Sequence, residues 1–106
     1  MLRVEFNQNG NGTLTVRLQG RLVGPYAEDA RSALQRHPLP SSITVDLSEV
    51  TFIDSLGQQV LAWLGRLGAS FLVGNLYTQG ICESLNLRIS DKRAGIATGT
   101  DPEVLQ

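Results

Sequence analysis

The stretch from Ile43 to Leu67 constrains the chain more than any other part of it. A β-branched run, Ile43 to Leu47, ends in a short polar turn, and Val50 to Ile53 returns the chain to the interior. Asp54-Ser55-Leu56-Gly57 then opens an apolar helical pattern. The β-branched, apolar content of Ile43 to Leu47 reads as a central strand of a sheet. The stretch also sets Ser55 at a helix start, where backbone N–H groups lack intrahelical partners and the helix dipole favours negative charge. A phosphate is well received at such a place.

The segments around it supply the rest of the sheet. Leu2, Val4 and Phe6 alternate with Arg3 and Glu5, and Leu14, Val16 and Leu18 alternate with Thr13, Thr15, Arg17 and Gln19. Asn9-Gly10-Asn11-Gly12 between them tolerates positive φ, so the two runs read as an antiparallel hairpin. Gly20 to Pro25 reads as a loop, with Pro25 in the first turn of a helix. Tyr26, Ala30, Ala33, Leu34 and His37 form the inner face of that helix, which Pro38 and Pro40 end. A second helix over 55–67 turns Leu56, Val60, Leu61, Trp63, Leu64 and Leu67 inward. Gln58, Gln59, Ala62, Gly65 and Arg66 face out, with Trp63 at the rim. Ser70 to Gly74 reads as a fourth strand, and Tyr77 to Leu85 as a third helix with Ile81 and Leu85 inward and Asn86 as its C-terminal cap. Beyond Leu87 the pattern fades, leaving room for one edge strand near Ile96 and a tail; the domain is expected over 1–87 and the edge strand or tail over 88–106. Two strand–helix–strand crossovers require parallel neighbours. The expected fold is an α/β mixed sheet, an N-terminal antiparallel hairpin plus parallel strands, with helices packed mainly on one face.

Composition excludes several classes of function. With 106 residues and a net charge of −1, the chain has no basic stripe for a nucleic acid. Cys82 and His37 are the only cysteine and histidine, which excludes an intrachain disulfide and a histidine- or cysteine-based metal cluster. No apolar run is long enough to span a membrane, and the N-terminus alternates like a strand and unlike a signal segment; the expected compartment is the cytoplasm. Cys82 reads as a small buried hydrophobe and His37 as a helix-end residue beside the C-terminal dipole. Asn11-Gly12-Thr13 matches a glycosylation sequon, without a secretion signal to give it meaning. Asp46 and Asp54 are too unaccompanied to form a catalytic pair; Asp46 is expected to bond loop N–H groups near a strand end. No nucleophile elbow surrounds Ser55 and no second histidine could serve a triad, so neither catalysis nor a cofactor is expected.

The run Asp46-Leu47-Ser48-Glu49-Val50-Thr51-Phe52-Ile53-Asp54-Ser55-Leu56-Gly57 resembles the signature of STAS domains, the fold of bacterial anti-sigma factor antagonists. Members typically read Asp-Leu-Ser-x-Val-x-Phe-Ile/Met-Asp-Ser-Ser-Gly-Leu-Gly, and Gly20-Arg21-Leu22 is similar to the Gly-x-Leu that ends their second strand. The resemblance covers roughly 2–87. Leu56 stands where the second serine is usual, Gln58-Gln59 where Leu-Gly is usual, and Val23-Gly24-Pro25-Tyr26 departs from the usual Leu-Asp.

That resemblance implies a regulatory protein-interaction module, binding an anti-sigma kinase-type partner when unmodified and switched by phosphorylation at Ser55. It implies that Asp54 orients the kinase contact or a metal-bound nucleotide in the partner, and that the loop after Leu22 touches partners. Ser55-Leu56-Gly57-Gln58 equally fits a capping box in which Ser55 caps the helix and Gln58 reaches back, a role compatible with modification. The expected docking surface comprises Leu22, Asp54, Gly57, Gln58, Gln59, Ala62, Trp63 and Arg66, with the aromatic anchor and low local charge that mark interfaces. Two other readings remain open. The degenerate Ser-Leu-Gly-Gln-Gln also suits an unphosphorylated docking subunit of a transporter ATPase or multi-domain sensor, and a small-ligand sensor would require a pocket.

Overall fold

The computed structural model describes residues 2–8, 12–37 and 42–90. Five strands and three helices alternate along the chain: β1 (Leu2–Gln8), β2 (Thr13–Leu22), α1 (Gly24–Arg36), β3 (Ser42–Ile53), α2 (Ser55–Arg66), β4 (Ser70–Leu72), α3 (Leu76–Ser84) and β5 (Arg88–Ile89). The sheet order is β1-β2-β3-β4-β5. β1 and β2 form the expected antiparallel hairpin, in register from Leu2↔Gly20 to Gln8↔Leu14. The remaining neighbours are parallel, each joined through a helix. There are thus three crossovers where the sequence suggested two, and all step the same way across the sheet. Right-handed connections then carry all three helices over one face.

The core lies between that face and the helices. Leu14, Val16, Leu18 and Leu22 of β2, Val45, Leu47 and Val50 of β3 and Phe71 of β4 are buried against Ala27, Ala30 and Leu34 of α1 and Val60, Leu61 and Leu64 of α2. The opposite face is polar: Arg17 and Gln19 both bond the Glu49 carboxylate, at 3.2 and 2.8 Å.

Several boundaries differ from the sequence reading for identifiable reasons. β2 continues through Gly20-Arg21-Leu22, because that segment keeps pairing with β3 as far as Leu22↔Ile53. α1 buries Ala27 where the helical spacing favoured Tyr26, which is 42% exposed. Its end at Arg36 coincides with an extended His37 (φ −87, ψ 135), the conformation favoured before a proline. The His37 ring stacks on Phe6, centroids 4.4 Å apart. Pro38, Pro40, the turn residues Asn9, Gly10 and Asn11, and Ile96 lie outside the described residues. β4 ends at Leu72, and α3 begins at Leu76 behind an Asn75 cap whose side chain accepts the Thr78 N–H. α3 buries Thr78 and Cys82, with Ile81 and Leu85 half-buried; Asn86 follows with φ 58, the left-handed conformation of a helix C-terminal cap. A two-residue strand, Arg88–Ile89, forms the far edge of the sheet.

The largest revision concerns β3, which is one continuous strand from Ser42 to Ile53 with no turn inside it. Opposite β2 it carries two extra residues. Arg17 to Gln19 spans Asp46 to Glu49, and Gly20 to Arg21 spans Val50 to Phe52. The first irregularity is stitched by Asp46, whose Oδ1 accepts the Ser48 N–H at 2.9 Å and the Ser48 hydroxyl at 2.6 Å. Asp46 was expected to bond loop N–H groups near a strand end; it bonds Ser48 within the strand instead. The second leaves Val50 and Ile53 inward while Thr51 and Phe52 both face out, so Phe52 is not an interior residue.

Candidate functional site

β2 and β3 end side by side, and α1 and α2 begin there. Asp54 joins these four elements. Its backbone is extended (φ −92, ψ −171), which makes it the N-cap of α2, with Oδ1 accepting the Gly57 N–H at 2.9 Å. Its Oδ2 accepts the Gly24 N–H at 3.0 Å, at the start of α1, where the N-cap Val23 has no side-chain bond to offer. The Asp54 N–H donates to the Leu22 carbonyl at 3.3 Å. One carboxylate thus supplies an acceptor to both helix starts and a negative charge to both dipoles.

This corrects the expectation that Ser55 caps the helix. With Asp54 as N-cap, Ser55 is the first helical residue and the third is Gly57, which has no side chain to complete a capping box. Gln58 bonds the Asp54 carbonyl through its backbone N–H, at 2.9 Å. Ser55 is exposed, and its hydroxyl makes no hydrogen bond among the described residues. It stands beside first-turn N–H groups with no intrahelical partner.

Exposed aromatic side chains lie at the end of β3, just before this serine in the chain. Phe52 and Tyr77 stack with rings 9° from parallel and centroids 6.2 Å apart, and the Arg21 guanidinium lies 5.6 Å from the Phe52 centroid. Tyr77 is fixed to the end of β3: its hydroxyl accepts the Ile53 N–H at 2.8 Å and donates to the Ile53 carbonyl at 3.1 Å. Leu56 is 36% exposed and Leu76 84%. Exposed aromatics with an arginine over one ring have the composition of an interface centre.

The residues expected to dock a partner do not form one surface. Leu22 and Gly57 are buried; a Cβ on Gly57 would collide with the Leu22 carbonyl and lie 2.8 Å from Ile53 Cγ2. They shape the site from below and offer no contact area. Both carboxylate oxygens of Asp54 are engaged within the fold. Gln58 is half-buried in the first turn. Gln59, Trp63 and Arg66 line a groove of about 150 Å³ with Glu28, Arg31 and Val60, between α1 and α2. Ala62 and Arg66 also border a cleft of about 480 Å³ near Leu87 and Arg88, at the far end of α2. Cys82 is buried, and its burial, with Glu83 adding like charge, pushes the thiol up from its ordinary 9.0 to about 11.

Arg21, Phe52, Leu76 and Tyr77 were missed. Phe52 follows Val50 by two residues, so plain alternation turns it inward, and only the extra residue in β3 reverses it. The one local signal was Asn75 before Leu76-Tyr77-Thr78, an Asx cap that starts α3 early and leaves Leu76 outside.

No protein-family model matches the chain, and no curated protein matches it by sequence. Solved structures do. The anti-sigma factor antagonist SpoIIAA in its unphosphorylated form superposes with a TM-score of 0.68 at 17% identity, covering 89% of this chain and 93% of that one. An anti-sigma factor antagonist from Mycobacterium paratuberculosis gives 0.61 at 20% identity, covering 83% and 86%. An uncharacterized protein with a SpoIIAA-like fold from Shewanella loihica gives 0.56 at 10% identity, covering 90% of each. The chain has the fold of the anti-sigma factor antagonists.

Proposed function

We propose that this STAS-like chain is a non-enzymatic regulatory module. It docks a protein partner of the anti-sigma kinase type on the surface around Ser55, and phosphorylation at Ser55 releases that partner. The position of Ser55 carries the reading: it is exposed at the first turn of α2 while Asp54 does the capping. The serine is therefore spared for modification, and the fold does not depend on its hydroxyl. The Arg21–Phe52–Tyr77 stack at the end of β3, with Leu56, supplies the apolar contact.

The electrostatics favour release over refolding. A phosphate would add about −1.5 to −2 charges next to the Asp54 carboxylate. The Gly24 and Gly57 N–H bonds hold both helix starts without help from Ser55, so the scaffold stays intact. A partner that covers Phe52 and Leu56 would then have to desolvate a phosphate at the same surface, which is unfavourable without a matching cation. Gln59, Trp63 and Arg66 form a second contact strip along α2, beginning one helical turn from Ser55.

The test compares capture of partners by the wild-type chain, Ser55→Ala and Ser55→Asp. Ser55→Ala should bind as wild type, and Ser55→Asp should bind about tenfold more weakly or worse, with thermal stability unchanged in both. Equal capture by all three would favour the constitutive docking subunit of an ATPase or sensor complex.

A further inference from the structure

The sheet has two edges, and they are built differently. β5 is two residues long. β1 is seven residues long and pairs with β2 with no break in register. A long, regular edge strand is a template for another strand, and proteins blunt such edges with prolines, lysines, bulges or shortness. Leu2–Gln8 has none of these, and its charges are Arg3 and Glu5. Its inner-face residues Leu2, Val4 and Phe6 are only partly buried. Beside them a cleft of about 270 Å³ is lined by Leu2, Val4, Tyr26, Ala30 and Ala33, with the exposed Asp29.

We propose that this edge pairs with β1 of a second copy of the chain, antiparallel across a two-fold axis, joining two five-stranded sheets into one. The occupant follows from the charge pattern. In such a pair, residues directly opposite must point to the same face, so the axis passes through a residue and inner faces meet inner faces. With the axis at Val4, Arg3 of each copy lies opposite Glu5 of the other, Val4 meets Val4, and Leu2 meets Phe6. With the axis at Glu5, two carboxylates face each other; at Arg3, two guanidiniums do. With the axis at Phe6, Glu5 meets Asn7 and Arg3 falls opposite position 9, beyond the strand and uncharged. The Val4 register alone pairs both charges with opposite partners while lining up the apolar side chains over the cleft. Arg3 and Glu5 already lie 3.2 Å apart on one strand, with side chains 72% and 42% exposed. The dimer closes them into a four-membered charge cluster on the polar face. Cross-strand pairs of opposite charge stabilise a ladder, and like charges directly opposite destabilise it.

This interface is independent of the Ser55 surface, so the two stand or fall separately. The full-length chain should show concentration-dependent dimerisation by sedimentation velocity. Arg3→Glu and Glu5→Arg should each weaken the dimer about tenfold or more, because each sets two like-charge pairs at the interface. Arg3 lies opposite the neutral Gln19 in the hairpin, so Arg3→Glu should melt close to the wild type, whereas Glu5→Arg sets an arginine opposite Arg17 and should melt somewhat lower. Mixing the two variants restores every opposite-charge pair, and a heterodimer should form at concentrations where each variant alone is monomeric. A loss of monomer stability could not produce that rescue. A wild-type chain that stays monomeric at the highest concentrations overturns the proposal. So does a dimer that tolerates both variants and gains nothing on mixing.

Discussion

α2 and α3 begin alike, yet the two starts differ in what depends on them. Each follows a strand and opens on an Asx residue whose side chain accepts the N–H three residues on, Asp54 from Gly57 and Asn75 from Thr78, both at 2.9 Å. Asn75 serves its own helix. Asp54 has a second carboxylate oxygen, and that oxygen holds Gly24 at the start of α1. The glycines of the two helices complete the contrast. Gly57 packs against the Leu22 backbone with no room for a Cβ, whereas Gly80, inside α3, has nothing within 4 Å of where its Cβ would be. The lesson is that the start of α2 is a rigid joint of four elements, and a modified serine can sit on it without loosening it.

Substitutions at the two glycines should break this comparison most sharply, with opposite signs. Gly57→Ala should destabilise by about 3 kcal/mol, because the colliding atom is a backbone carbonyl that cannot swing aside. Gly80→Ala should stabilise by about 0.5–1 kcal/mol, since alanine suits an exposed helix interior better than glycine. Chemical denaturation of both variants measures the pair; equal effects would mean that α2 does not sit against β2 as closely as described.

The caps should differ in degree. Asp54→Ala removes the cap of α2 and leaves the Gly24 N–H without its acceptor, a loss of about 2–3 kcal/mol. Asn75→Ala removes one cap, about 1 kcal/mol. Losses of equal size would show that the Oδ2 bond to Gly24 contributes nothing.

An effect confined to high pH concerns Cys82, buried in α3 behind its cap. Its thiol titrates higher in the folded protein, about 11 against 9.0, so the folded state holds the proton more tightly. The contribution is fully present below about pH 9 and is lost as pH rises through about 11. Wild type should therefore lose stability relative to Cys82→Ala across that window, and the native thiol should resist alkylation at lower pH. Parallel pH profiles for the two proteins would contradict this.

The sheet was legible in the sequence because alternation is a local signal. Leu14, Val16 and Leu18 announce a half-buried strand, and Ile43, Val45 and Leu47 a central one. What alternation cannot reveal is an extra residue, since a bulge is defined by the neighbouring strand. The polar Ser48-Glu49 therefore read as a turn when it is a strand stitched by Asp46, and Phe52 read as core when it faces out. At the site, the helix start was legible to within one residue. Asp54 and Ser55 are both good caps, and the choice rests on a backbone conformation that depends on where β3 stops pairing. That Gly24 bonds the same carboxylate across thirty residues of chain left no mark in the sequence. β5, at two residues, is too short to show any period.

The central claim, that Ser55 is a modifiable residue on a fixed scaffold that controls partner docking, is tested most directly in the native cells. The protein is isolated with its bound partners, and phosphorylation is mapped by mass spectrometry in the bound and unbound pools. The account predicts phosphate on Ser55 in the unbound pool and an unmodified Ser55 wherever the partner is retained. A partner bound throughout with Ser55 never modified, or bound equally to the phosphorylated chain, would contradict it.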